Sequence, residues 1–144
     1  MKADAETEHA VMDVLKQCFE AFGRRDLDAL LAFFAPDPDV VVIGTGRDEK
    51  GIGLAEIKAI FQRAFAQFSE ASFEFGWHSV SVAGPLAWLA TDVSYHVKAR
   101  NRESSRQIRL TGIMEKREGR WLILQSHDSV PDPGQAEGEA FSWN

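Results

Sequence analysis

Between Phe19 and Ile43 the chain reads FEAFGRRDLDALLAFFAPDPDVVVI, which runs a helix end, a charged turn, a second short helix and an all-apolar strand together within 25 residues. That order reads as the opening of a curved cone. Upstream, Val11, Val14, Leu15, Cys18, Phe19 and Phe22 recur at helical spacing and form one apolar stripe. Gly23 follows where a left-handed helix cap is expected. Asp26 is placed to cap the second helix, and Pro36 and Pro38 stop it, because neither can continue a helical hydrogen-bond ladder. Val40 to Ile43 then form a strand that is apolar on both faces.

Beyond Ile43 the glycine-rich run Gly44 to Gly53 is a connection whose last residues, Lys50 to Gly53, return as a short strand. Ile57, Ile60, Phe61, Ala64, Phe65 and Phe68 repeat the helical spacing and define a third amphipathic helix. From Ser72 the period switches to two. Strands are predicted over Phe73 to Val82, Leu86 to Ala99, Ser105 to Lys116 and Arg120 to Val130, with turns at Ala83 to Pro85, Arg100 to Ser104 and Glu118-Gly119. The fold class is therefore α+β, with three N-terminal helices ahead of an antiparallel meander. Residues 1–131 form a single domain, and 132–144 are a tail, either mobile or packed on a partner subunit, because periodicity gives way there to Pro, Gly and Glu.

With 144 residues the chain suits one domain, and its net charge of −6 argues against nucleic acid or an anionic membrane as a partner. No stretch approaches the roughly 20 apolar residues of a spanning helix, and the first ten residues lack the apolar centre of a secretory leader, so a cytoplasmic protein is expected. Cys18 is the single cysteine and reads as a small core residue. Neither a metal nor a cofactor is expected: the four histidines show no HxH or HExxH spacing, and the glycine run lacks the Lys-Ser/Thr ending of a phosphate loop. Arg100, Arg102, Arg106 and Arg109 cluster about one turn, but Glu103 lies among them, which favours a solvated hairpin tip over an anion site.

Three groups of residues carry a family resemblance: Phe22 to Asp28 with Phe33-Phe34-Ala35; Ile43 to Gly46 with Gly53; and Gly119 to Ile123 with His127 to Pro131. Together they resemble the nuclear-transport-factor-2-like superfamily, also called the SnoaL-like or cystatin-like fold. The subgroup they resemble is that of the calcium/calmodulin-dependent kinase II association domain. The resemblance implies three helices packed on a strongly curved, mostly antiparallel sheet, forming a cone with an internal cavity. It does not imply one activity, because the superfamily spans isomerases, cyclases, dehydratases and association domains. Its ketosteroid isomerases use a tyrosine, an aspartate base and a second carboxylic acid. Overlay places Cys18, Val42 and Gly112 at those three positions, so that constellation is absent.

On the strand Leu86 to Ala99, Trp88, Ala90, Asp92, Ser94 and His96 share one face, and the overlay assigns that face to the cavity. The same alternation brings in Ile108, Leu110, Gly112 and Met114, then Leu122, Leu124, Ser126 and Asp128. Cys18, Phe22 and Val42 complete a lining for a small apolar or amphipathic molecule. Asp92 is the expected proton-transfer group, with His96 or Asp128 orienting the substrate. The plainer reading of Asp92, a hydrogen-bond acceptor that stiffens the sheet, stays open beside it, and the orientation of His78 is left unassigned because a bend in its strand would shift the register. Trp121, Ile123 and His127, with Ile113 and Thr111, are expected on an outer sheet face that pairs two copies into a homodimer. Two functions follow: a small-molecule-binding domain with acid–base chemistry, or a non-catalytic self-association or adaptor module.

Overall fold

A computed structural model describes residues 1–143. Three helices, α1 (Ala5–Gly23), α2 (Leu27–Leu31) and α3 (Leu54–Phe65), accompany six strands: β1 (Val41–Ile43), β2 (Lys50–Ile52), β3 (Glu70–Ala83), β4 (Leu86–Ala99), β5 (Arg102–Arg117) and β6 (Arg120–Ser129). Asp4 and Asp26 cap α1 and α2 by accepting from the backbone N–H groups of Thr7 and Ala29 at 2.8 and 3.2 Å. The strands form one sheet in the order β2-β1-β6-β5-β4-β3, antiparallel throughout except where β1 runs parallel to β6. The expected α+β architecture of helices on a curved sheet is thus present. After Pro131 the chain runs through short turns, with Phe141 and Trp143 edge to face at 5.8 Å and both exposed.

Two register shifts bend the sheet. Gly76 and Trp77 of β3 together oppose Asp92 of β4, and Leu124 of β6 is left without a partner between the Ile113↔Gln125 and Met114↔Ile123 pairs. Bulges of this kind kink a strand and increase its twist. Thr91, 1 % exposed, secures the first of them by donating its hydroxyl to the carbonyl of Trp77 at 2.9 Å. The bulge also settles His78, which turns towards the helices and meets Glu8 of α1 at 2.9 Å.

Val11, Leu15, Cys18 and Ala21 of α1 are buried with Leu30, Ile57, Val80, Leu89, Val93, Ile108 and Leu110 in one apolar core. Phe22 is the hub of its aromatic part, with ring centroids 5.3, 5.4 and 5.9 Å from Phe65, Phe68 and Phe73. Gly23 does not act as expected. It keeps helical φ, and Arg25 takes the left-handed conformation instead, at φ 57°. A Cβ on Gly23 would stand 2.9 Å from the carbonyl oxygen of Ala71, so glycine is required there by the close approach of β3.

Three further sequence expectations are corrected. The turn after β4 is only Arg100 and Asn101, so β5 begins at Arg102 and includes Arg102 to Ser104. On β4 the buried residues are Ala87, Leu89, Thr91 and Val93. The strand therefore faces the other way from the overlay, because its branched aliphatic side chains go to the core. On β6 the bulge at Leu124 reverses the alternation, which buries Trp121 and Ile123 beneath the helices rather than on the outer face.

Candidate functional site

Between the helices and the concave sheet lies a cavity of about 390 Å³. Its wall is mostly aromatic and aliphatic: Phe19 and Phe22 from α1, Phe34 after α2, Phe61 from α3, and Tyr95 and Ile123 from the sheet. Thr45, Glu49, Gln67, Ser104, Ser126 and Asp128 supply its polar edge. An apolar chamber with a few polar groups is the form of a small-molecule site.

Asp128 dominates the electrostatics. It lies on β6 past the bulge, directly opposite Leu110, and its Oδ1 is buried with no hydrogen-bond partner among the described residues. Burial, reinforced by the charge of Glu49, pushes its carboxyl from 3.8 up to about 7. Glu49 enters from the β1–β2 connection, where its carboxylate lies against Gly44 and Gly46; a Cβ at either glycine would collide with it. The glycines of this run thus make room for an acidic side chain at the cavity. Cys18 lines the same space, and burial, with Asp128 adding to it, pushes its thiol up to about 12, so it remains neutral.

Of the residues expected to line the cavity, Cys18, Phe22, Val42, Ile108, Ser126 and Asp128 do so. Leu110 and Met114 are fully packed in the core beside it, and Gly112 is covered: a Cβ there would meet the Gln125 carbonyl oxygen at 3.3 Å and Leu89 at 3.8 Å. Leu124 sits in the bulge. Trp88, Asp92, Ser94 and His96 lie on the convex face, for the reason of strand parity given above. Trp88 is exposed beside Ile113, Asp92 pairs in register with Arg109, Ser94 is exposed, and His96 meets Ser105 through Nδ1 and Glu103 at 3.7 Å. The structure therefore separates Asp92 and His96 from Asp128 instead of bringing the three together.

Among the residues missed from sequence are Glu49, Phe61, Gln67, Phe68, Tyr95 and Ser104. Tyr95 belonged to the face of β4 that carries Leu89 and Val93, so weighing aliphatic burial on the two faces would have found it. Glu49 carried only its place between glycines as a signal.

Solved structures give the same fold. A candidate aromatic ring hydroxylase from Novosphingobium aromaticivorans superposes with a TM-score of 0.82 at 20 % identity over 92 % of this chain and 94 % of that one. A candidate dehydratase of the NTF2-like family from Streptomyces avermitilis gives 0.79 at 17 % identity, covering 88 % and 98 %. A candidate calcium/calmodulin-dependent protein kinase II association domain from Xanthomonas campestris gives 0.76 at 22 %, covering 91 % and 90 %. At these identities the likeness is one of fold. No curated protein matches the chain in sequence. No helix among the described residues is long and apolar enough to cross a membrane. The model of the SnoaL-like domain matches residues 11–133, from the first buried residue of α1 through the strand that carries Asp128, and the chain belongs to that family.

Proposed function

We propose that the protein catalyses proton transfer on a small, largely apolar molecule held in the cone, with Asp128 as the acid–base group. One observation carries this reading: a buried carboxyl oxygen without a partner faces an apolar cavity, with its titration moved to about 7. Near neutral pH such a group is present in both forms, so it can take a proton from a carbon beside a carbonyl and return one to an oxygen. Returned to a different atom of the conjugated enolate, the proton completes an isomerisation; given to a β-hydroxyl, it releases water and completes a dehydration. A candidate dehydratase among the structural neighbours supports the second outcome. Tyr95, Ser126, Thr45 and Ser104, all in the cavity wall, are the hydroxyls available to orient a carbonyl.

The test is incubation with aryl ketones and β-hydroxy aryl ketones in deuterated buffer, followed by NMR. Solvent deuterium should enter the carbon beside the carbonyl, or water should be eliminated. Asp128→Asn should abolish either while leaving the fold intact. Turnover that persists in Asp128→Asn would remove the reading.

A homodimer through the convex sheet face is the second element of the proposal. Leu86, Trp88 and Ile113, at 41, 37 and 37 % exposure, form an apolar group on neighbouring β4 and β5, and this group replaces the one expected from Trp121 and Ile123. It supports the self-association reading without opposing the enzymatic one, since the cavity opens on the other side of the sheet.

A further inference from the structure

Gln67 and Phe68, just beyond α3, line two spaces at once. On one side is the cone; on the other is an open cleft framed by Arg25, Arg100 and Arg102. Among the described residues no acidic side chain lines that cleft, although the chain as a whole carries a net charge of −6. The arginines come together from distant parts of the sequence. Arg25, in the α1–α2 turn, donates from Nη1 to the carbonyl of Phe68 at 2.9 Å, and its guanidinium lies 5.7 Å from the centre of the Phe68 ring. Arg100 occupies the two-residue β4–β5 turn, and Arg102 opens β5.

Strand parity decides where the charges go. Arg102, Ser104 and Arg106 stand opposite Ala99, Val97 and Tyr95, and Val97, Ser104 and Tyr95 line the cone, so this alternating set belongs to the concave side. Glu103 falls on the other side, where its carboxylate lies 3.7 Å from His96 and 3.8 Å from Lys98. The acid that the sequence places among the arginines is therefore turned away from them. Among the described residues the ion-paired cations are Arg63, His78, His96, Lys98 and Arg117, and none of the three cleft arginines is among them. Like charges gathered without a counter-charge create a positive potential that attracts an anion.

We propose that this arginine cleft receives the anionic end of the ligand whose apolar body fills the cone, which makes the substrate an amphipathic organic anion: a ring system bearing a carboxylate, sulfonate or phosphate. The inference rests on the cone being a ligand site, as the proposed function requires. Charge also orients such a molecule. Glu49 and Asp128 reach the cavity from the β1–β2 connection and β6, whereas the arginines come from the α1–α2 turn and the β4–β5 turn. The anionic end is repelled by the first pair and drawn to the second group, leaving the apolar body to face Asp128.

Two dyes with the same ring system test this: 8-anilinonaphthalene-1-sulfonate and its uncharged parent N-phenyl-1-naphthylamine. The sulfonate should bind about tenfold more tightly, as expected of partly solvated charge-assisted hydrogen bonds. That advantage should shrink as salt is raised from about 50 to about 500 mM. The sulfonate should displace the uncharged dye. In the Arg100→Ala/Arg102→Ala double variant, which keeps the Arg25 contacts to Phe68, most of the advantage should be lost while binding of the uncharged dye is unchanged, and Arg100→Lys/Arg102→Lys should restore part of it. Equal affinities for the two dyes, an advantage that survives the double alanine variant, or a sulfonate that binds without displacing the uncharged dye would each overturn the anionic-end assignment and leave the cone intact as a site. If neither dye binds, the cone itself is not a ligand site and the proposed function fails with it.

Discussion

Glu49 and Asp128 present carboxyl groups to the same apolar cavity from the same end of the parallel β1–β6 pair, where Ile43 stands opposite His127, and the charge on Glu49 adds to burial in raising Asp128 to about 7. Holding such a group in that site has a cost to folding, and the cost depends on pH. In the unfolded chain Asp128 loses its proton near 3.8, whereas in the folded chain it does so near 7. Between those values the folded state binds the extra proton, so Asp128's contribution to stability is complete below about 4, declines as pH rises towards 7 and is gone above it. Asp128→Asn removes this dependence. The variant should be more stable than the parent at pH 8 by on the order of 2–4 kcal/mol, with the difference shrinking towards pH 4. Urea denaturation at a series of pH values measures it, and parallel curves for the two proteins would show that Asp128 is not raised.

Thr91 anchors the β3 bulge through its bond to the Trp77 carbonyl, and its hydroxyl is buried. Thr91→Val keeps the shape but leaves that carbonyl without its donor. A loss of about 1–2 kcal/mol is expected, and Thr91→Ser should recover much of it. If valine and serine variants match in stability, the hydroxyl does not hold the bulge.

Gly23→Ala probes the close approach of α1 to β3. The added methyl would lie 2.9 Å from the Ala71 carbonyl oxygen, so the strand must move. A destabilisation of about 1–3 kcal/mol is expected from such overpacking. Ordinary helix propensity would instead favour alanine over glycine by about 1 kcal/mol. The sign of the change therefore separates the two accounts, and thermal denaturation reads it.

The element order was legible because the periods are clean: helical spacing from Val11 to Phe22 and again from Ile57 to Phe65, then alternation from Phe73 onward. Which face of each strand points inward was less legible. On β4 both faces carry apolar and polar groups, with Trp88 and Ala90 beside Asp92 on one and Leu89 and Val93 beside Thr91 on the other. Only packing against α1 chooses between them. On β6, Trp121, Leu122, Ile123 and Leu124 are uniformly apolar, so nothing in the residues announces that Leu124 is skipped in the pairing. A single skipped residue moves every later side chain to the opposite face. Asp128 was placed inward despite this, because the expected alternation and the bulge differ only before Gln125. The glycines behaved similarly: Gly23, Gly44 and Gly46 were visible as breaks in pattern, but the atoms that exclude a side chain, on Ala71 and Glu49, come from elsewhere in the chain.

The last prediction concerns the convex face. Trp88 and Ile113 are register partners on adjacent strands, and Leu86 continues the same side of β4. A directly opposed aromatic and β-branched pair is a stabilising cross-strand contact in itself, yet a third of each side chain remains open to water. Two copies related by a twofold axis would each offer this patch to the other and remove it from solvent. Sedimentation velocity at micromolar concentration should show a dimer for the parent protein and a monomer for Trp88→Glu, because a charge at the centre of the patch would be buried unpaired in the paired state. The monomeric variant should keep its far-ultraviolet circular dichroism and its Asp128 titration, since Trp88 lies across the sheet from the cavity. A parent protein that sediments as a monomer, or a Trp88→Glu variant that still dimerises, would rule out pairing through this patch, and loss of the Asp128 titration in a folded variant would show that the two faces are coupled.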